Sequence, residues 1–301
     1  MTTPTLTTEA PAPAAAAPFP ADTGRAVQPL AARPLASLVQ TGARKAGRGI
    51  WASGAIVLFL LLWEFGPTYL ASASTRVFLP PLHEVLRALG WLIAKGQLQN
   101  HLAASLTRSA SGFGIAVVTA VALGLLVAWY RSLDRFLNPL LEVFRNTAAL
   151  ALLPVFTLLL GIGETSKISI VAYAAFFPVL LNTIAGVRTV DPLLVRAARS
   201  LGLSNFRLFQ KVILPSAVPT IFTGIRMAGT SSILVLIAAE MVGAKAGLGY
   251  LIVNAQSSFL IPDMYAGILT VSLLGLLVNY LLVAVERHFS RWRTAVGSQS
   301  S

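Results

Sequence analysis

Six stretches of this chain are apolar for long enough to cross a lipid bilayer. They fall at about 50–70, 103–130, 139–161, 168–187, 216–242 and 264–285, each near the roughly 20 residues that a helical span needs. Within hydrocarbon the backbone must satisfy its own polar groups, so the expected fold is an all-α integral membrane protein with six transmembrane helices. Composition agrees, since 55% of residues are hydrophobic and only 11% are charged, which is outside the range of soluble domains. Between the first two runs, Leu82, Val85, Leu86, Leu89, Leu92 and Ile93 recur at helical spacing. The segment from Pro80 to Asn100 therefore reads as an interfacial amphipathic helix rather than a further crossing.

The formal net charge of +12 does not indicate a nucleic-acid partner, because the basic residues flank the apolar runs instead of forming one patch. They report orientation. With both termini in the cytoplasm, 15 Lys and Arg fall on the inner side and 5 on the outer, while Arg108, Arg145 and Arg226 lie within spans, as the positive-inside rule requires. Residues 1–48 are rich in Ala, Pro and Thr and read as a disordered cytoplasmic tail. The six-span domain then occupies 49–290, and 291–301 form a short cytoplasmic tail. Arg44, Lys45 and Arg48 followed by an apolar run and Ala71-Ser72-Ala73 imitate a signal peptide. A run of about 20 residues containing Glu64 is instead expected to be an uncleaved first span. The chain has no cysteine and only three histidines without ligand spacing, so no metal site is expected.

The loop at 188–215 is the most informative segment. Asp191 can cap a helix beginning at Pro192, Gly202 can end it, and Pro215 fits the start of the next span. Leu194, Val195, Ala198 and Leu201 share one face, and Ala197 is small enough to let a partner approach closely. This loop resembles the coupling motif of ATP-binding-cassette importer permeases, E-A-A, three residues, G, nine residues, I-x-L-P. Arg196-Ala197-Ala198, Gly202 and Val212-Ile213-Leu214-Pro215 keep every spacing. Arg196 stands at the acidic position, so a salt bridge from that position does not carry over, and Val212 replaces isoleucine.

The resemblance runs from about Pro80 to the C-terminal end and narrows to the nitrate, sulfonate, taurine and bicarbonate permeases. It rests on four further motifs: S-L-T-R-S-A-S-G-F (Ser105–Phe113), L-G-I-G-E-T-S-K-I (Leu160–Ile168), A-A-F-F-P-V-L-L-N-T (Ala174–Thr183) and A-E-M-V-G-A-K-A-G-L-G-Y (Ala239–Tyr250). Family membership implies a type I ABC importer permease fold in the bacterial inner membrane and a homodimer of permeases. It also implies a dimer of cytoplasmic ATPases that hold ATP and Mg, and an extracytoplasmic solute-binding protein. No G-x-x-x-x-G-K-[ST] sequence occurs, so the chain is expected to be a non-catalytic subunit that binds no cofactor itself. The implied solute is a small anion such as a sulfonate, taurine, nitrate or bicarbonate; related members carry heteroaromatic vitamin precursors. Phe144-Arg145-Asn146-Thr147-Ala148-Ala149 departs from the family's L-R-x-x-P-P, and Ile233 stands where nitrate and taurine members carry tryptophan. Both departures are expected along the solute path.

An ionisable residue inside a span costs roughly 3 kcal/mol near the bilayer centre even on the lenient insertion scale, which makes each one a functional candidate. Arg145, Arg226 and Glu240, with Thr230 and Ser231, are the candidates for the substrate pathway. Glu64 and Arg108, both near outer span ends, are expected to form a structural ion pair. The rivals from other classes are an ion-gradient-driven secondary transporter coupled through Arg226 and Glu240, and a membrane scaffold whose loop only docks a partner.

Overall fold

The computed structural model describes residues 54–69 and 77–290. The expected tails at 1–48 and 291–301, the upstream end of the first run and Ala71-Ser72-Ala73 lie outside the described residues. The chain divides into Met1–Val57 and Leu58–Ser301, and of the first unit only the beginning of helix α1 (Gly54–Tyr69) is described. Every regular element among the described residues of the second unit is a helix.

Four helices there are long and apolar enough to span: α3 (Gln97–Trp129), α6 (Glu164–Arg188), the continuous stretch Asn205–Glu240, and α11 (Ile261–Ser290). A fifth crossing is made by α4 (Arg131–Arg145) and α5 (Leu153–Leu160) if the pair counts as one span; a 3-10 turn at Ala149–Leu152 precedes α5, and the pair is bent by 88°. The third run is thus not the straight helix from 139 to 161 that its hydropathy suggested. Asn146 donates its amide to the Glu142 carbonyl at 2.7 Å and Thr147 donates its hydroxyl to the Val143 carbonyl at 3.1 Å. These bonds satisfy the last turn of α4 from its own side chains and let the helix stop at Arg145. The 131–138 loop is also helical, forming the first turns of α4. Asp134 anchors it to Arg188 at the end of α6, 2.7 Å away.

The centre is built by α3, α6 and the long helix α9 (Leu214–Glu240). Gly112, Ala116, Ala120 and Gly124 form a buried stripe four residues apart on α3, which puts all four on one face and lets backbones approach closely. A Cβ on Gly112 would lie 2.7 Å from the Ile168 carbonyl, and one on Gly124 would lie 2.8 Å from Thr183 Cβ. Gly114, by contrast, faces open space. Gly112→Ala is expected to cost about 2 kcal/mol through overpacking, read as a lower unfolding midpoint of the detergent-solubilised protein; Gly114→Ala should leave that midpoint unchanged.

The predicted amphipathic segment is α2 (Leu82–Ala94), which buries Val85 and Leu92. Left-handed Gly96 then turns the chain into α3, which begins six residues before the apolar run does. Val85 and Leu92 pack with Leu98, with Leu248 and Leu251 of the short helix α10 (Leu248–Ser257), and with Ala266 and Leu274 of α11. The Trp63 indole N–H of α1 donates to the Pro80 carbonyl at 3.2 Å. Further along α11, Leu273, Leu276, Leu277 and Leu281 are exposed, an apolar surface suited to lipid.

Candidate functional site

The candidate side chains gather at the two ends of the bundle and in a cleft between them. At the end where α3 begins, Arg108 is 5% exposed and Glu240 1%. Arg108 forks onto three elements. Its Nε and Nη2 donate to the two carboxylate oxygens of Glu164 at the start of α6, the Nη2 bond being 2.6 Å long. Its Nη1 donates to Glu240 Oε1 at 2.7 Å and to the Ala246 carbonyl at 2.6 Å. Glu240 Oε2 accepts from the Gly249 N–H at 3.0 Å, and Ser105 Oγ lies 2.9 and 2.8 Å from the two carboxylate oxygens while accepting from the Leu248 N–H at 2.9 Å. Buried Lys167 donates to the Gly163 carbonyl at 3.1 Å. Two cations and two carboxylates thus balance, and each buried charge has hydrogen-bonded partners, which is the condition for retaining such groups in an apolar interior. The Glu240 carboxylate occupies the space a Cβ on Gly247 would need, and Gly247 has φ +123, a backbone that side chains rarely adopt.

This knot overturns one expectation. Glu64 does not pair with Arg108; it holds His83 of α2, accepting from the His83 backbone N–H at 3.0 Å and lying 2.7 Å from Nδ1. Arg108 instead sits on the small-residue stripe, whose four-residue register points it into the α6–α9 contact and toward Glu164 and Glu240. Sequence reading missed Ser105, Glu164 and Lys167. The available clue was that Arg108, Glu164 and Glu240 each lie within a different one of the quoted motifs.

The five pathway candidates separate. Arg145 and Ser231 line one cleft of about 400 Å3, with Thr147, Tyr173, Phe177 and Asn182. The break between α4 and the 3-10 turn forms one wall, so the departure from L-R-x-x-P-P lies at the cleft. Arg145 is half-exposed and its only ion partner among the described residues is Glu142, three residues back on its own helix. Arg226 points elsewhere, pairing with Glu286 of α11 at 2.9 Å, and Thr223 also donates to Glu286 at 3.1 Å. Thr230 is exposed and donates to the Arg226 carbonyl of its own helix at 3.4 Å. Glu240 belongs to the knot. Ile233 is buried and faces a separate apolar cavity of about 170 Å3 between α3, α9 and α11, so that replacement does not border the Arg145 cleft.

The other end carries the loop. Helix α7 (Pro192–Ser200) begins where Asp191 accepts the Leu193 N–H at 2.8 Å, and it ends before Gly202 at φ +74. Its apolar face divides: Ala198 is buried with Leu208 and Ile213, and Val195 packs against that cluster beside Trp129 and Phe209. Leu193, Leu194 and Leu201 are exposed, Leu201 at 80%, as are Arg196 and Ala197. The sequence had placed Leu194, Val195, Ala198 and Leu201 on one partner-facing side; the inner pair instead fixes the helix to its own bundle. A single helical turn, α8 (Asn205–Leu208), leads into a π turn at Phe209–Ile213, where the Leu214 N–H bonds the Phe209 carbonyl. Pro215 has no N–H for the usual bond four residues back and its ring crowds that carbonyl, and a wider turn accommodates both. Val212, Leu214 and Pro215 of the motif are therefore residues of the junction between loop and span.

Residues 120–293 match the family described as binding-protein-dependent transport system inner membrane component. Similar relatives include the taurine transport system permease protein TauC of Escherichia coli K12, 36% identical over 80% of this chain and 88% of that one. The bicarbonate transport system permease protein CmpB of Synechococcus elongatus is 34% identical over 62% of this chain and 68% of its own. Among solved structures, the MetNI methionine ABC transporter in inward-facing conformations superposes with a TM-score of 0.55 at 18% identity, covering 66% of this chain and 96% of that one. An amino acid ABC transporter crystallised with histidines gives 0.54 at 22% identity, covering 66% and 97%. The chain belongs to the binding-protein-dependent inner membrane component family. It is the permease subunit of an ABC importer, a transport component without catalytic activity of its own, and it has the type I importer permease fold.

Proposed function

We propose that the chain imports small anionic solutes as one half of a permease homodimer, powered by a pair of cytoplasmic ATPases that hold ATP and Mg and supplied from outside by a solute-binding protein. The carrying observation is α7: a helix capped by Asp191, stopped at Gly202 and glued inward through Ala198, with Leu193, Leu194, Ala197 and Leu201 left outward. A rigid element that buries one side and offers apolar groups on the other is suited to a partner's groove. On this reading α7 and both termini are cytoplasmic, and the knot lies at the outer end. ATP-driven approach of the ATPases would draw the two α7 helices together and bias the spans toward the outward-open state.

An anion suits the Arg145 cleft. A guanidinium there is joined by the hydroxyl and amide groups of Thr147, Ser231 and Asn182 and by the rings of Tyr173 and Phe177, and a broken helix at membrane depth is the setting in which transporters hold solutes. The taurine and bicarbonate names of the relatives support the same class. Vesicles containing this permease, a cassette ATPase and a binding protein should take up taurine, ethanesulfonate or bicarbonate only with internal ATP, and Arg145→Gln should lower that uptake about tenfold while the ATPase stays bound. Uptake on an ion gradient without the ATPase, or no uptake with the full complex assembled, would overturn the proposal.

A further inference from the structure

Residues 109–130 of α3 and its C-cap carry no charge, and Arg131 follows at once. Their helical length of about 33 Å matches the hydrocarbon thickness of a bilayer. The membrane boundary at this end therefore falls near Trp129 and Tyr130, the depth at which aromatic rings collect in spanning helices. A cleft of about 610 Å3 crosses that boundary. Its deep part is lined by Ala122 and Leu126, which lie about 12 and 6 Å inside Tyr130 along the helix. Its mouth is formed by Trp129 and Tyr130, and by Asn205, Phe206 and Phe209 of α8 and the π turn. Leu126 is 48% exposed and Phe206 73%, so the described chain leaves the groove uncovered.

Polar groups at the mouth lack partners. The Trp129 indole N–H, the Tyr130 hydroxyl and the Asn205 amide make no hydrogen bond among the described residues. Arg131 follows Tyr130, Arg207 follows Phe206, and Lys211 stands two positions after Phe209. All three cations are exposed, and none has an ion-pair partner among the described residues. Free donors and unpaired cations call for an anion, and an apolar trough that continues into hydrocarbon calls for a tail on it. A soluble protein such as the ATPase does not reach the depth of Ala122 and Leu126. Basic clefts beside spanning helices hold anionic headgroups. We propose that this groove binds an anionic phospholipid, with an acyl chain along Ala122 and Leu126 and the phosphate among Trp129, Tyr130, Asn205, Arg131 and Arg207. The inference needs only that α3 crosses the membrane, so it stands apart from the importer reading. Phe209 also belongs to the cluster that seats Val195 and Ala198 of α7, so the lipid packs against the base of the loop helix.

Native mass spectrometry of the purified permease, titrated with phosphatidylglycerol or phosphatidylcholine, tests this. Wild type should bind phosphatidylglycerol about tenfold more tightly. A double Arg131→Gln, Arg207→Gln variant should erase that preference. Both side chains are exposed, so its unfolding midpoint without added lipid should stay within about 1 °C of wild type. Leu126→Trp should weaken both lipids about tenfold by filling the deep part, and millimolar inorganic phosphate should displace neither. Equal affinities in wild type overturn the proposal, as does a preference that survives the double variant. Competition by inorganic phosphate overturns it too, because the cations would then serve a free anion. Loss of ATPase retention by the double variant in lipid-free detergent would give the cleft to the ATPase, and separation of the permease pair by Leu126→Trp would give it to the second copy; either result also overturns the proposal.

Discussion

Arg108→Ala is expected to lose about 3–5 kcal/mol of stability, because it leaves the Glu240 carboxylate buried without its cation. Two further losses come with it: Glu164 loses a two-pronged partner and the Ala246 carbonyl loses its donor. The measurement is the unfolding midpoint and yield of permease in detergent, with Glu64→Ala as the comparison. Glu64 touches His83 at an exposed position, so its loss should shift the midpoint by little. Arg108→Lys should not rescue, since an ammonium cannot present the forked donors that reach Glu164 and Glu240 together. Equal midpoints for Arg108→Ala and Glu64→Ala would refute this account of the knot.

The second large effect separates two adjacent alanines. Ala197→Asp should leave the permease's own unfolding midpoint within about 1 °C of wild type, because the side chain is exposed. Uptake and retention of the ATPase should nevertheless fall at least tenfold, since a charge would enter the face proposed to meet the partner. Ala198→Asp should instead destabilise the permease in isolation by about 2–4 kcal/mol, through an unpaired charge beside Leu208 and Ile213. Retention assays on purified complexes and thermal scans of the isolated permease distinguish the two. Full uptake by Ala197→Asp would remove α7 from the coupling role.

The spans and the loop were legible because both depend on local rules. Hydropathy marks a crossing, and an Asp-Pro start with a Gly stop marks a short helix, as Asp191, Pro192 and Gly202 bear out. Interrupting a span was harder to foresee, since α4 ends through Asn146 and Thr147 bonding back to their own helix, a choice that hydropathy does not register. Partnering of the charges was the least legible. Arg108 and Glu240 are 132 positions apart, and helical spacing alone orders residues on one rod without saying which neighbouring rod each face will meet. The same limit explains why Arg226 and Glu240, both candidates for one pathway, serve different contacts, with α11 and with the knot. Within the apolar face of α7, spacing identified the stripe but not which half the bundle would keep.

The wide turn at Phe209–Ile213 has a bearing on how such a chain tolerates change. Each residue of a helix advances its azimuth by about 100°, so one surplus position between the loop and the membrane rod sets the compass heading of everything upstream. The heading of Ala197 and Leu201 is consequently encoded in a tally of positions as much as in their chemistry, and exposed Gln210 and Lys211 can change more freely than the junction's length or its packed Phe209 and Ile213.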